Sequence, residues 1–159
     1  MAREAKSQPF LKGLSLEQIA TLARIATRVQ FKPGEKILRQ RGTADRFYVI
    51  EEGRVSLEYE LSRQHWVQIQ EIGPGEALGW SWLAKPYKWQ FSATAIDRVN
   101  LSAIRVADLR ALFARDPKLG YAVMERAAQA LLERLQATRH KLRVYVQRAS
   151  GDENSQQVC

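Results

Sequence analysis

Apolar positions Leu16, Ile19, Ala20, Leu22, Ala23, Ile25, Ala26 and Val29 recur with helical spacing, and Ser15 followed by Gln18 has the spacing of a capping box. They predict an amphipathic helix over 15–29. Pro33-Gly34 breaks it. Short strand-like runs follow at 36–40, 47–51, 54–61 and 66–72, punctuated by Gly42, Gly53 and Gly73-Pro74-Gly75. In the third run Val55, Leu57, Tyr59 and Leu61 alternate with Ser56, Glu58 and Glu60, the pattern of a half-buried strand. Two more strands are expected at 91–96 and 99–104, so the first two thirds read as a sandwich or barrel.

The pattern then turns helical. A short helix is expected over 106–114, and Asp116-Pro117 supplies a cap followed by a proline at the first helical position. No further breaker precedes Gly151, so one long helix should run from 117 to about 148, roughly 48 Å at 1.5 Å per residue. Along it Met124, Ala128, Leu131, Leu135, Thr138, Leu142 and Tyr145 form an a/d heptad stripe. A helix longer than its domain is wide cannot bury every face on that domain. The stripe therefore predicts a parallel homodimer, with Thr138 fixing its register. Val123, Ala127 and Leu132 are expected to face the chain's own strands instead. Residues 10–148 make one domain, and 1–9 and 149–159 are expected as disordered tails.

Composition narrows the function classes. A chain of 159 residues with 45% hydrophobic and 26% charged residues suits one globular domain. The net charge of +8 permits anionic partners without choosing among them. Cys159 is the sole cysteine and the histidines are only His65 and His140, so neither an internal disulfide nor a metal centre is expected. The charged start and the lack of a long apolar run point to a cytoplasmic protein with no membrane span. No nucleophile–base set, phosphate-cradling glycine loop or carboxylate cluster stands out, so the chain reads as a non-enzyme with no cofactor.

One stretch is unusual. Residues 72–95 hold Trp80, Trp82 and Trp89, three of the four tryptophans, between glycines and prolines. Such a segment on a rigid scaffold is a candidate ligand loop. The bland alternative is that clustered aromatics fill a core.

The assembled residues resemble the cyclic-nucleotide-binding domain, in the form found in catabolite-activator and FNR-type bacterial regulators. The resemblance rests on Phe31-Lys-Pro-Gly-Glu-Lys-Ile-Leu-Arg-Gln, on Ala44-Asp45-Arg46-Phe47-Tyr48-Val49-Ile50-Glu51-Glu52-Gly53-Arg54-Val55, on Ile72-Gly-Pro-Gly-Glu and on Glu133-Arg134-Leu135-Gln136-Ala137-Thr138. It implies a mainly β fold, an eight-stranded β-roll flanked by helices with a long dimerisation helix at its end. It also implies a ligand pocket between roll and long helix. The pocket residues it implies are Leu78, Gly79, Trp80, Ser81, Trp82, Phe91, Ser92, Ala93, Arg134 and Thr138.

Two of these depart from the family pattern. Leu78-Gly79-Trp80 stands where a Phe-Gly-Glu run supplies the carboxylate for the ribose hydroxyl. Phe91-Ser92-Ala93 stands where an arginine pairs with the cyclic phosphate. An ionic hydrogen bond to phosphate contributes about 1.5–3 kcal/mol, so its loss weakens binding roughly 10- to 150-fold. Backbone N–H groups from Gly79 to Ser81, or a charge from Lys85 or Lys88, would have to compensate. Thr138 matches the family residue that faces the purine, and Arg134 loses its carboxylate neighbour at position 80.

The expected function is a stand-alone regulatory sensor that binds cyclic AMP or a related nucleotide and signals through the dimer helix to an effector protein. The alternative is a ligand-free interaction module with an aromatic-filled pocket, and an apolar metabolite is a third option. The family's DNA-binding regulators carry a helix-turn-helix after the long helix. Only an acidic stretch follows it here, so sequence-specific DNA binding is not expected.

Overall fold

The structure, a computed structural model, describes residues 9–156, with side chains from 9 to 151. Of the two expected tails, residues 1–8 and 157–159 lie outside the described residues. Helix α1 spans Leu16–Ile25 and is capped as its sequence dictates. The Ser15 hydroxyl accepts from the Gln18 amide and the Gln18 side chain accepts from the Ser15 amide. It ends four residues earlier than its periodicity suggested. Ala26–Phe31 forms β1, paired antiparallel with the strand Val99–Arg105 (β8) from Ala26↔Ile104 to Phe31↔Val99. Thr27 and Val29 are β-branched and alternate with Arg28 and Gln30, so the sheet partner decides a segment that either period would fit.

The remaining strands are β2 (Lys36–Leu38), β3 (Arg46–Glu52), β4 (Val55–Ser62), β5 (His65–Ile72), β6 (Ala77–Leu78) and β7 (Ser92–Ala95). They make two four-stranded antiparallel sheets, ordered β1-β8-β3-β6 and β2-β7-β4-β5. This is a β-roll with flanking helices, mainly β as expected. Phe47, Ile50, Leu78 and Leu101 are fully buried in its core.

Strand β4 does not follow its simple alternation. Ser56 and Glu58, placed by pattern on the wet face, are buried, whereas Tyr59 and Leu61 are exposed. Leu57 pairs with Gln70 and Glu58 with Gln68, so β5 carries an extra residue at Ile69 that shifts the register. Glu58 is burial-tolerant because Lys36 Nζ lies 2.9 Å away and the Thr94 hydroxyl donates to it at 3.0 Å. Beside it, the Ser92 hydroxyl donates to Glu60 at 2.7 Å.

Ser92, and to a lesser degree Lys36 and Arg41, hold the Glu60 carboxyl below the usual carboxylate range, against opposing burial. A depressed carboxylate pKa adds stability that is complete above the unfolded value of about 4.3 and lost as pH falls through the folded value. Ser92→Ala is therefore expected to flatten the acid limb of the stability–pH profile, measured by urea unfolding across that range.

Helix α2 covers Val106–Arg115, and Pro117–Gln156 forms α3, 40 residues and so about 60 Å long. α3 begins at the expected proline and continues past 148, making 149–156 helical rather than a disordered tail. Gly151 does not stop it, since one glycine in an exposed helix costs only about 1 kcal/mol. α3 packs on α2 and β5. Its roll-facing line is Leu119, Val123, Ala127, Ala130 and Arg134, all buried or partly buried. Leu132, expected on that line, is instead 47% exposed, because it lies two positions past Ala130 and so points away.

Candidate functional site

The cassette that follows β6 turns on Gly79, whose φ of 92° is in the left-handed region that favours glycine. Residues Trp80–Leu83 then form a single 3-10 turn. Four residues of 3-10 helix offer less than the helix N-terminus expected to hold an anion. Trp80 and Trp82 point inward and are almost fully buried. The Trp80 ring lies 4.6 Å from Phe47 and 6.0 Å from Phe10, and Trp82 lies 6.2 Å from Phe113. These two aromatics are core.

Trp89 is the brace of the cassette. A Cβ at Gly42 would meet its Cδ1 at 3.1 Å, and one at Gly79 would meet the far edge of its ring at 3.2 Å. The indole thus spans two glycines, with its amide donating to Gly42 O and its carbonyl accepting from Arg41 N. Lys85 and Lys88 are both exposed, and Lys88 reaches Thr43 rather than the cassette interior.

The residues expected at the ligand pocket fall into three groups. Leu78, Gly79, Trp80, Trp82 and Ala93 are buried in the core or beside it. The Ser92 hydroxyl is committed to Glu60 and to the Gln40 amide, and Ser81 accepts from the Gln90 amide. Phe91, Arg134 and Thr138 remain. The Arg134 guanidinium stands 5.6 Å from the Phe91 ring centroid, and the Thr138 hydroxyl donates to Arg134 O within α3. Phe91, which the resemblance places at the phosphate-arginine position, meets a cation from the long helix.

Arg134 is the electrostatic oddity of the site. It is 9% exposed, and its Nε has no hydrogen-bond acceptor. Burial pushes its pKa down from the ordinary arginine value, while the charges of Glu76 and Glu133 pull the other way. Among the described residues no carboxylate forms an ion pair with it. Trp80, in the place of the family's glutamate, leaves this guanidinium without the expected partner.

A cavity of about 120 Å³ opens beside it, lined by Phe10, Gln70, Ile72, Glu76, Trp80 and Arg134 among others. Trp80 and Arg134 of the pocket implied by the resemblance line it, whereas Phe91 and Thr138 do not, so it overlaps that pocket on one side only. Pattern reading missed Gln70 and Arg126 because both sit at polar positions of regular elements. Glu76 stood in the Ile72-Gly-Pro-Gly-Glu motif but only as a turn residue.

Residues 28–116 match the family model for the cyclic nucleotide-binding domain, more than half of the chain. The chain belongs to that family. A Geobacter metallireducens structure described as a cyclic nucleotide-binding protein is similar at 30% identity and a TM-score of 0.72, covering 84% of this chain and 97% of that one. The Thermus thermophilus catabolite activator protein matches at 25% identity and a TM-score of 0.70, covering 87% of this chain and 63% of that one. A Rhodopseudomonas palustris protein described as a potassium channel protein is 30% identical over 111 residues, 70% of this chain. The chain spans only 26% of that curated relative, so what the longer protein does concerns the longer protein.

Membership in the family fits a regulatory role. Among the described residues no cluster of histidine, cysteine, aspartate and glutamate could hold a metal ion. No described helix is long and apolar enough to cross a membrane.

Proposed function

We propose that this domain is a dimeric regulatory sensor that binds a small ligand between roll and long helix and reports it through α3. The observation that carries the reading is the pair of faces on α3. One face, Leu119, Val123 and Ala127, is buried on the protein's own core. The neighbouring face leaves Leu131, Leu135, Leu142 and Tyr145 46–74% exposed in the single chain, with Met124 at 37%. Four large apolar side chains at heptad spacing favour a second copy of the same helix as their cover. Ala128 and Thr138 complete the stripe, and Thr138 is already half-buried.

Ligand control follows from adjacency. Arg134 belongs to the roll-facing line and Leu135 to the stripe, so a ligand that moves one moves the other. A ligand can shift α3 only by binding its two positions with different affinity. A cyclic nucleotide or a related molecule is the class the family suggests, held by an atypical cassette. The effector would be another protein that reads the dimer.

The dimer is tested by sedimentation. The wild-type chain is expected to sediment at twice its 18.2 kDa mass. Leu135→Asp, which sets two carboxylates in an apolar seam, is expected to weaken the dimer by about tenfold or more. A wild-type monomer, or an unchanged dimer in the variant, would place the interface elsewhere.

A second reading, a ligand-free interaction module, is favoured by the continuous ring contacts from Phe10 through Phe47 and Trp80. It keeps the dimer and drops the ligand.

A further inference from the structure

Arg41, in the loop between β2 and β3, has a φ of 72°. That conformation crowds Cβ against the backbone and is uncommon for a long side chain, whereas glycine adopts it freely. The cassette holds the strain in place. Arg41 N donates to Trp89 O at 2.8 Å, Trp89 N to Gly42 O at 2.8 Å and Ala44 N to Tyr87 O at 2.9 Å. These bonds, with the bridge between Thr43 and Lys88, staple the loop to residues 87–89. The guanidinium itself makes no hydrogen bond or ion pair among the described residues, and reaches the chain through its charge on Glu60. Strain kept where glycine would remove it points to a use for the side chain.

The surroundings of Arg41 define that use. Arg41 and Lys88 line one open groove, together with Gln40, Tyr59 and Gln90, and none of its lining residues is acidic. Lys88 Nζ donates to the Thr43 hydroxyl at 3.3 Å and has no ion pair among the described residues. Glu60, the carboxylate that Arg41 influences, is already engaged by the Ser92 hydroxyl at 2.7 Å and by Lys36 Nζ at 3.7 Å. Two cations without matching carboxylates favour a doubly charged anion over a singly charged one. Phosphate fits them, since a guanidinium can grip two of its oxygens and an ammonium adds a point charge. Tyr59, 43% exposed, adds an aromatic ring to the same wall and meets the Phe91 ring edge-on at 6.2 Å.

We propose that this groove binds a small phosphomonoester, its phosphate on Arg41 and Lys88 and an aromatic body against Tyr59. The groove is open to solvent, so it sets no size limit on that body. It lies outside the pocket between the roll and α3, because Trp80, Arg134 and Thr138 do not line it. The site therefore requires neither the dimer nor the sensor reading above.

The test is nuclear magnetic resonance on the full-length 15N-labelled protein at low ionic strength, where ionic contacts are least screened. Inorganic phosphate is expected to move the Gly42 and Lys88 amide signals along a saturating curve, with a dissociation constant of about 1–10 mM. Phenyl phosphate is expected to bind about threefold more tightly, through Tyr59. Sodium acetate, a monoanion, is expected to bind about tenfold more weakly than phosphate. Lys88→Gln and Arg41→Gly should each weaken phosphate by about tenfold. Arg41→Gly should also keep its urea midpoint at or above the wild-type value, because it releases strain while removing the cation.

Signals unmoved by about 50 mM phosphate would overturn the proposal, as would shifts that sodium chloride of equal ionic strength reproduces. Undiminished phosphate affinity in either variant would overturn it too. An Arg41→Gly variant that loses stability together with phosphate would make Arg41 a structural residue and remove it from the site. Equal affinities for phenyl phosphate and phosphate would overturn the role of Tyr59.

Discussion

Trp80→Ala is expected to cost the fold about 3–5 kcal/mol, the range for removing a large aromatic from a packed core. The position is one where the family pattern has a glutamate that grips ligand, so a merely functional residue there would be nearly neutral for stability. The ring instead is 3% exposed and meets Phe47 and Phe10 at 4.6 and 6.0 Å. Its removal would leave those rings facing a void. Trp80→Phe keeps most of the packing and deletes an indole N–H that has no acceptor, so it should cost under about 1.5 kcal/mol. Urea unfolding of both variants checks the pair. A loss below about 1 kcal/mol for alanine would show that the ring is not core.

Phe91→Arg should raise affinity for cyclic AMP roughly 10- to 150-fold, the value of one ionic hydrogen bond to phosphate. The same change should make the empty protein less stable. The new guanidinium would lie beside Arg134, which already sits 5.6 Å from the Phe91 ring and lacks an ion pair among the described residues. Two close cations repel, and a phosphate between them relieves that repulsion. Cyclic AMP should therefore raise the melting temperature of the variant more than that of the wild type. Equal responses would mean that position 91 does not face the phosphate.

Much of the roll was legible because its strands are bounded by glycine and proline turns. Ser15, Gln18 and Pro117 set helix starts where local hydrogen bonding decides. What stayed hidden depends on contacts distant in sequence. β1 looked helical until β8 supplied its partner, and Glu58 looked wet until Lys36 and Thr94 enclosed it. The bulge at Ile69 leaves no local trace.

The candidate site divides in the same way. The absence of a glutamate at Trp80 and of an arginine at Phe91 was readable only through the family resemblance. That the tryptophan would join Phe10 and Phe47 in the core was one of two readings open, because aromatics serve pockets and cores alike. The cavity at Gln70 and Arg134 was not readable. It needs a strand and a turn to meet a helix residue more than fifty positions further along the chain.

Calorimetry of the wild-type chain with cyclic AMP tests most directly the proposal that this family member holds a cyclic phosphate only weakly. With Trp80 and Phe91 in the cassette, the expected dissociation constant is weaker than about 10 µM. Tighter binding than that would contradict it and require a phosphate contact from other residues.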